Sequence, residues 1–286
     1  DVVQVIDGYP QNNISLKGTY NSFGLLSYYS RLTYDYDAKY IMNLSWRADG
    51  SSKFGAQNRW GYFPAISGAW LFTKEHFMEH AFGKWLNFGK LRAGWGKAGK
   101  QYDDYYLAVG QYNVGSSPTG TTYGGVPIIR PNYEGANGIP LPNLGWEQTT
   151  DYNLGLDLEL FNGRATFSYD YYWKRSDNFL FDNPLPASAG YAMTKINGGS
   201  LLNYGMEWAV NLFLMPAERK FQWNISANAS FNKNVLLRLP DNGRNIVRTK
   251  TPDNMRFANG NVLQVGRPLN GFYLYESRGV YRKPGD

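Results

Sequence analysis

Hydrophobic and polar residues alternate along several long segments of the chain. From Phe221 to Asn232, apolar or aromatic side chains occupy every second position and uncharged polar side chains occupy the positions between them. A period of two is typical of a β-strand with one apolar and one polar face, so the pattern predicts an all-β chain. Similar alternation runs through 26–36, 40–48, 152–160, 165–174 and 203–214, and weaker candidates lie around Phe63–Phe72 and Phe88–Ala98.

The predicted strands have about 10–12 residues, roughly twice the usual length in globular proteins. Strands of that length, tilted by about 45°, cross the roughly 25 Å apolar band of an outer membrane. Tight turns are predicted at Asp37-Ala38, Asn162-Gly163 and Pro216–Lys220, because Asn-Gly and similar pairs favour short hairpins. They alternate with long polar stretches that we expect to be extracellular loops, at 49–61, 99–145, 175–202 and 233–261. Short turns on one side and long loops on the other are typical of an antiparallel transmembrane β-barrel.

A soluble β-sandwich also alternates, and a soluble glycan-binding β-domain is the corresponding functional alternative. Two features favour the membrane barrel. No charged residue falls on the apolar face of the six segments, although 18% of the chain is charged. Tyr and Trp also gather near the strand ends, as in the aromatic girdles of membrane barrels.

Composition excludes several classes of protein. The chain has no cysteine, which rules out disulfide scaffolds, cysteine-ligated metals and thiol nucleophiles. No apolar run is longer than Tyr105–Val109, far short of the roughly 20 residues that a membrane helix needs. The net charge of +6 is scattered, so no nucleic-acid partner is expected. The N-terminus carries no secretory signal, which indicates a mature chain or a piece of a longer one.

Two strings resemble catalytic motifs. His76-Phe77-Met78-Glu79-His80 spells H-x-x-E-H, an inverted zincin motif, but no third zinc ligand can be nominated and the string lies in a connector. Gly94–Gly99 spells G-x-G-x-x-G, but the polar aromatic stretch after it has no helical period to hold a phosphate. We therefore expect no enzyme activity, no metal and no cofactor, and interpret the glycines as strand positions.

Tyrosines crowd the longest predicted loop together with Gly, Pro and Asn. Rigid aromatic faces beside amides suit the binding of sugars or peptides. The alternative is that the rings pack the loop against itself. The candidate substrate-facing residues are Tyr102, Tyr105, Tyr106, Tyr112, Tyr123 and Tyr133.

Several motifs resemble the SusC/RagA family of TonB-dependent outer-membrane transporters. The longest is the run Leu144–Lys174, LGWEQTTDYNLGLDLELFNGRATFSYDYYWK, followed by Pro184–Tyr191. The others, in order, are Trp46–Gly55 (WRADGSSKFG), Asn58–Pro64 (NRWGYFP), Leu91–Gly96 (LRAGWG), Gly266–Tyr273 (GRPLNGFY) and Gly279–Tyr281 (GVY). Each motif is weak alone, and their combination is specific.

The resemblance implies a 22-stranded barrel around an N-terminal plug, of which residues 1–286 would be one part of about 8–10 strands. Plug and final strands are expected to be absent. The implied function is TonB-dependent import of oligosaccharides or peptides across the bacterial outer membrane. Implied partners are a SusD-like surface lipoprotein, TonB with its inner-membrane energising complex, and outer-membrane lipid. The alternative is a SusC-like scaffold subunit of a multi-protein complex with no transport cycle.

Overall fold

Eight strands form one antiparallel sheet in the computed structural model, which describes residues 20–79, 85–109, 122–123, 126–127, 139–189, 193–215, 220–240, 246–249, 260–269 and 271–273. Its strands are β1 Leu25–Tyr36, β2 Tyr40–Ser51, β3 Trp60–Trp70, β4 Leu86–Lys100, β7 Glu147–Leu160, β8 Ala165–Pro184, β9 Met193–Phe213 and β10 Asn224–Arg238. The sheet has the order β1-β2-β3-β4-β7-β8-β9-β10, so each strand pairs with the sheet strand that follows it along the chain.

The remaining elements are short. A two-stranded hairpin joins β5 (Thr122–Tyr123) to β6 (Val126–Pro127), and a small sheet contains β11 (Ile246–Thr249), β12 (Gly260–Leu263) and β13 (Gly271–Tyr273). The helical segments are 3-10 turns at Phe72–Lys74 and Ala187–Ala189 and one α-helical turn, α1, at His76–Glu79. No helix in the described residues is long and apolar enough to cross a membrane.

The register places the alternating residues of all eight strands on two continuous faces. One cross-strand row of partners shows this, because directly paired residues share a face. The row consists of Leu32, Leu44, Ile66, Trp95, Tyr152, Trp173, Tyr204 and Lys233. We call this side the apolar face and the other the polar face. The all-β antiparallel prediction is confirmed, and β3 and β4 confirm the two weaker strand candidates.

The two ends of the sheet differ. Tight turns join β1 to β2 and β7 to β8, with positive φ at Asp37 (53°) and Ala38 (47°) in the first and at Asn162 (56°) and Gly163 (80°) in the second. Positive φ at consecutive residues matches the twist of a short hairpin. We call this the turn end and the opposite one the loop end. The predicted turn at Pro216–Lys220 lies largely outside the described residues, which include only Lys220 of it.

Three of the predicted loops are shorter than the sequence indicated. β2 extends to Ser51 and β3 begins at Trp60, which leaves 52–59 instead of 49–61. β8 and β9 have 20 and 21 residues, so most of the predicted loop 175–202 is a paired hairpin. β10 likewise continues to Arg238, β11 lies within 233–261, and β12 begins at its end. The sequence underestimated the strand lengths there because these segments are rich in polar and glycine residues and alternate weakly. That the segments are extracellular stays a prediction.

Candidate functional site

Charged side chains form a network across three strands on the polar face. Arg92 on β4 donates to both carboxylate oxygens of Asp157 on β7, from Nε at 2.8 Å and Nη2 at 3.0 Å. The same guanidinium donates to Asp170 on β8, at 3.0 Å and 2.9 Å. Ser168 Oγ donates to Asp157 at 2.9 Å, and Lys90 Nζ lies 3.6 Å from Asp157. Two-pronged contacts of this kind hold a guanidinium in one orientation.

The network stops short of the next strand. Glu207 on β9 lies directly opposite Asp170, and its side chain is exposed. Like charges in directly opposed positions of a sheet repel each other. Arg92 and Lys90 together balance the charges of Asp157 and Asp170, while the negative charge of Glu207 is exposed on the polar face.

A hydrophobic cluster gathers three connecting segments at the loop end. We call it the loop cluster, and its buried members are Phe54, Phe63, Tyr102, Leu107, Leu144 and Trp146. The Phe54 ring lies 4.8 Å from the rings of both Tyr102 and Trp146. Its residues come from β3 and from the segments 52–59, 101–109 and 139–146. Burial of these rings fixes the three segments against each other.

Lys53 is a buried cation beside this cluster, with 6% of its surface exposed. Its Nζ donates to the backbone carbonyls of Tyr102 and Asp103, both at 3.0 Å, and lies 4.2 Å from the ring centre of Tyr105. A second ring, Phe23, lies 4.9 Å away. A charge is stable in such a site only when hydrogen bonds and aromatic faces replace its water. Lys53 thus joins the segment before β1, the β2–β3 connection and the segment after β4.

The extended β8–β9 hairpin contacts two clusters at once. Leu180 packs against the loop cluster, while its neighbour Phe181 is buried in a second cluster with Leu236, Leu239 and Leu263. Adjacent residues of a strand point to opposite faces, which allows one hairpin to contact both clusters.

Polar contacts also fasten this hairpin. The Asn197 side chain accepts from the Gly145 backbone N–H at 2.7 Å and donates to the carbonyls of Gly145 and Asn178 at 3.1 Å and 2.7 Å. Lys195 Nζ lies 3.3 Å from Asp104 and 3.1 Å from Asp182. Together, the two clusters, Lys53, Asn197 and Lys195 form what we call the loop block.

The predicted tyrosines fall in different places. Tyr102 is 5% exposed, and its hydroxyl donates to the Lys53 carbonyl at 2.6 Å. Tyr105 is half-buried beneath Lys53, and the hydroxyl of Tyr106 accepts from the Ser22 N–H at 3.0 Å. Tyr123 belongs to β5, while the rest of the predicted set, Tyr112 and Tyr133, lies outside the described residues. Contact of these six tyrosines with a substrate stays a prediction.

The surroundings change the acidity of two of these phenols. Burial, with a further contribution from the negative charge of Asp104, raises the pKa of Tyr102 to about 12. Hydrogen bonds with the hydroxyl and the backbone N–H of Ser22 lower the pKa of Tyr106. Tyr102 is therefore a neutral packing group at any physiological pH.

The sequence reasoning did not single out Lys53, Asn197 or Arg92. A signal for two of them was present, since Lys53 lies in the WRADGSSKFG motif and Arg92 in LRAGWG. Members of the loop cluster also lie in motifs that carry the family resemblance, among them Phe54, Phe63, Leu144 and Trp146. The motifs thus mark residues that join the loops to the sheet.

The two catalytic-looking strings lie in ordinary structural positions. Gly94–Gly99 lies inside β4, as the strand interpretation predicted. His76 begins the single turn of α1, and His80 lies outside the described residues. Within the described residues, no group of three or more His, Asp or Glu side chains is placed to hold a metal ion.

Comparison with known proteins agrees with this architecture. Residues 2–282 match the family described as TonB dependent receptor-like, beta-barrel. TonB-dependent receptor P39 of Formosa agariphila is 34% identical over 284 residues, covering 99% of this chain and 25% of that receptor. TonB-dependent receptor SusC of Bacteroides thetaiotaomicron is 34% identical over 271 residues, covering 91% of this chain and 26% of that receptor. The chain therefore spans about a quarter of the length of these relatives.

A solved structure shares the fold. The structure of the RagAB peptide transporter superposes with a TM-score of 0.77 at 24% identity, covering 98% of this chain and 28% of that one. The chain thus has an open antiparallel sheet with one apolar face and long loops at one end, and its relatives are TonB-dependent receptors. The chain belongs to the TonB-dependent receptor β-barrel family, in its SusC/RagA branch, and is part of a barrel integral to the outer membrane.

Proposed function

We propose that residues 1–286 form part of the wall of an outer-membrane importer that takes up oligosaccharides or peptides with energy supplied through TonB. The observation that carries this proposal is the two-sided sheet with its loop block at one end. The apolar face suits lipid, while the polar face offers hydrogen-bonding and charged groups to an aqueous lumen. The name of the RagAB relative, a peptide transporter, supports the cargo class.

In this proposal, the loop end faces the outside of the cell. The loop block holds three connections in a fixed arrangement through Lys53, the loop cluster and Asn197. A rigid rim of this kind suits the seating of a SusD-like lipoprotein, because pre-organised loops lose little conformational freedom on binding. Tyr105 and Tyr106 are the candidates in segment 101–109 to meet cargo or lid, because both remain partly exposed while Tyr102 is buried.

The wall transforms nothing chemically in this mechanism. The network of Arg92, Lys90, Asp157 and Asp170 balances its own charges and holds the Arg92 side chain in one orientation. The exposed carboxylate of Glu207 and neighbouring hydroxyl and amide groups, such as Ser230 and Asn228, remain available to a plug or to passing cargo.

Uptake by the intact receptor tests the proposal. Cells lacking the receptor gene are complemented with the whole receptor or with a variant from which the TonB-contact segment has been removed. Growth is measured on oligosaccharides and on oligopeptides as the sole carbon source. We expect the whole receptor, and not the variant, to restore growth on one of the two classes.

Purification of the tagged receptor in mild detergent supplies the second readout. A stoichiometric SusD-like lipoprotein is expected. Full complementation by the variant, or recovery of a set of unrelated envelope proteins with no lipoprotein, would contradict the importer and support the scaffold role.

A further inference from the structure

Three strands each carry an aromatic residue and a basic residue, two positions apart, on the apolar face near the loop end. An aromatic residue is followed, two positions nearer the loop end, by a basic residue. Because side chains two apart share a face, each basic side chain lies on the apolar face beyond its aromatic neighbour. The pairs are Trp95 and Lys97 on β4, Trp173 and Arg175 on β8, and Phe231 and Lys233 on β10.

The register brings these residues to neighbouring positions. Lys97 pairs with Thr150, and Thr150 pairs with Arg175. Lys233 pairs with Tyr204, the cross-strand partner of Trp173. With strands about 4.8 Å apart, Lys97 and Arg175 are two strand spacings, or about 10 Å, apart. Lys233 is two strands further along the sheet and two residues nearer the turn end, about 12 Å from Arg175. We call Lys97, Arg175 and Lys233 the basic row.

The charges of this row are largely uncompensated. Lys97, Arg175 and Lys233 are exposed, and no ion pair joins Lys97 or Lys233 to another described residue. Arg175 Nε lies 2.9 Å from Asp177, whose other contact is the Ser200 hydroxyl at 2.6 Å. The row therefore carries three positive charges against one negative charge.

The opposite half of the apolar face differs. At the turn end, the apolar-face positions of the described strands carry no Lys or Arg, as in Tyr36, Tyr40, Leu158 and Leu212. Exposed cations next to an aromatic belt, at one end only, fit one leaflet of a bilayer. Aromatic residues mark the membrane interface, and longer basic side chains beyond them reach the level of the head-group phosphates.

We infer that the basic row binds the phosphate groups of a phosphorylated lipid in the outer leaflet. Charge complementarity carries the inference, because Lys and Arg head groups bind phosphate oxygens and the site lies on the face that lipid covers. The assignment to the outer leaflet rests on the orientation given under the proposed function. The binding itself requires only that the apolar face is covered by lipid.

Native mass spectrometry of the intact receptor tests this inference. The receptor is purified in nonionic detergent and titrated with lipid A, a glycolipid with two phosphates, and separately with phosphatidylglycerol. The test variant is Lys97→Gln, Arg175→Gln and Lys233→Gln. The control is Arg31→Gln, Lys100→Gln and Lys174→Gln, which removes the same charge from the polar face.

We expect the test variant to need at least tenfold more lipid A for half-saturation, while the control matches the wild type. Equal binding by both variants would overturn the inference. So would unchanged lipid binding together with a change of oligomeric state or loss of the lipoprotein, because the row would then be a protein interface. Stronger wild-type binding of phosphatidylglycerol than of lipid A would overturn the assignment to the outer leaflet.

Single variants and the independence of lipid binding from transport separate this inference from assembly defects and from the proposed function. If the triple variant does not assemble, the single variants Lys97→Gln and Lys233→Gln are used, since both side chains are exposed. Lipid binding in detergent does not depend on TonB or on cargo. Failure of uptake with normal lipid binding would therefore reject only the importer, and the converse would reject only the lipid site.

Discussion

The guanidinium group of Arg92 lies directly over Gly155, its cross-strand partner. A β-carbon at position 155 would come within 2.5 Å of the Arg92 Cζ. The missing side chain lets Arg92 pass across β7 and reach Asp170 on β8. The glycine thus links three strands by leaving room for a charged side chain.

Gly155→Ala should displace the guanidinium and weaken its contacts with Asp170. Hydrogen bonds between charged groups contribute about 1.5–3 kcal/mol, and the partial exposure of Arg92 reduces the expected loss toward about 1 kcal/mol. The apparent Tm of the intact receptor in detergent should fall, as measured by intrinsic fluorescence. Gly94→Ala is the matched control on the same face, because its nearest neighbour, the Ser67 Cβ, is 3.7 Å away. An equal effect of both variants would contradict this account.

Lys53→Met should loosen the loop block. The substitution removes the donor to the buried carbonyl of Tyr102 and the partly buried carbonyl of Asp103, and an unsatisfied buried carbonyl costs about 1–3 kcal/mol. We expect faster chymotrypsin cleavage of the intact receptor near Tyr105 and Tyr106, mapped by mass spectrometry. Lys100→Met is the control, because the Lys100 side chain is 69% exposed and its ion pair with Glu147 is long, at 3.9 Å. Unchanged cleavage in Lys53→Met would show that the lysine does not hold the segment.

Leu154→Arg should reduce accumulation of the receptor in the outer membrane. Leu154 lies on the apolar face, where an arginine near the bilayer midplane costs about 2–4 kcal/mol. The adjacent residue Asn153 lies on the polar face, at the border of an open hollow of about 470 Å³. Asn153→Arg should therefore assemble normally. Immunoblots of outer-membrane fractions, with and without boiling, compare the two variants. Normal assembly of Leu154→Arg would mean that lipid does not cover this face.

Glu75 should stabilise the folded receptor at the turn end in a pH-dependent way. Its carboxylate accepts from the Tyr40 hydroxyl at 2.5 Å and from Trp70 Nε1 at 3.1 Å, and these bonds lower the pKa of Glu75 below its ordinary value of 4.5. A lowered pKa means that the contribution is present above about pH 4.5 and is lost as the pH falls through the folded-state pKa.

The comparison with Glu75→Gln measures this effect. The apparent Tm of the wild-type receptor should exceed that of the variant near pH 7, and the difference should shrink below pH 4.5. A Tm difference that is independent of pH would indicate that the charge of Glu75 has no part in this stabilisation.

Much of the sheet could be predicted from local pattern. Alternation over Tyr152–Leu160 or Ala165–Trp173 follows from the two faces of a strand, one in lipid and one in water. Each strand can therefore be predicted from its own residues alone. Turn residues such as Asn162-Gly163 predicted the strand ends, because the positive φ of a tight turn favours Asn and Gly locally. The β8–β9 extension escaped this reasoning, because beyond the membrane its apolar residues, including Phe181, are buried by other loops.

The sequence by itself determined the strand class, the two faces, the tight turns and the family. Tertiary structure alone decided that Lys53 lies over the ring of Tyr105, that Asn197 is hydrogen-bonded to Gly145, and that Tyr102 is buried. Alternation is a local property that repeats every two residues, whereas these contacts join residues about 50 positions apart. They form only after the register of several strands brings the loop ends together, and no local pattern encodes that arrangement.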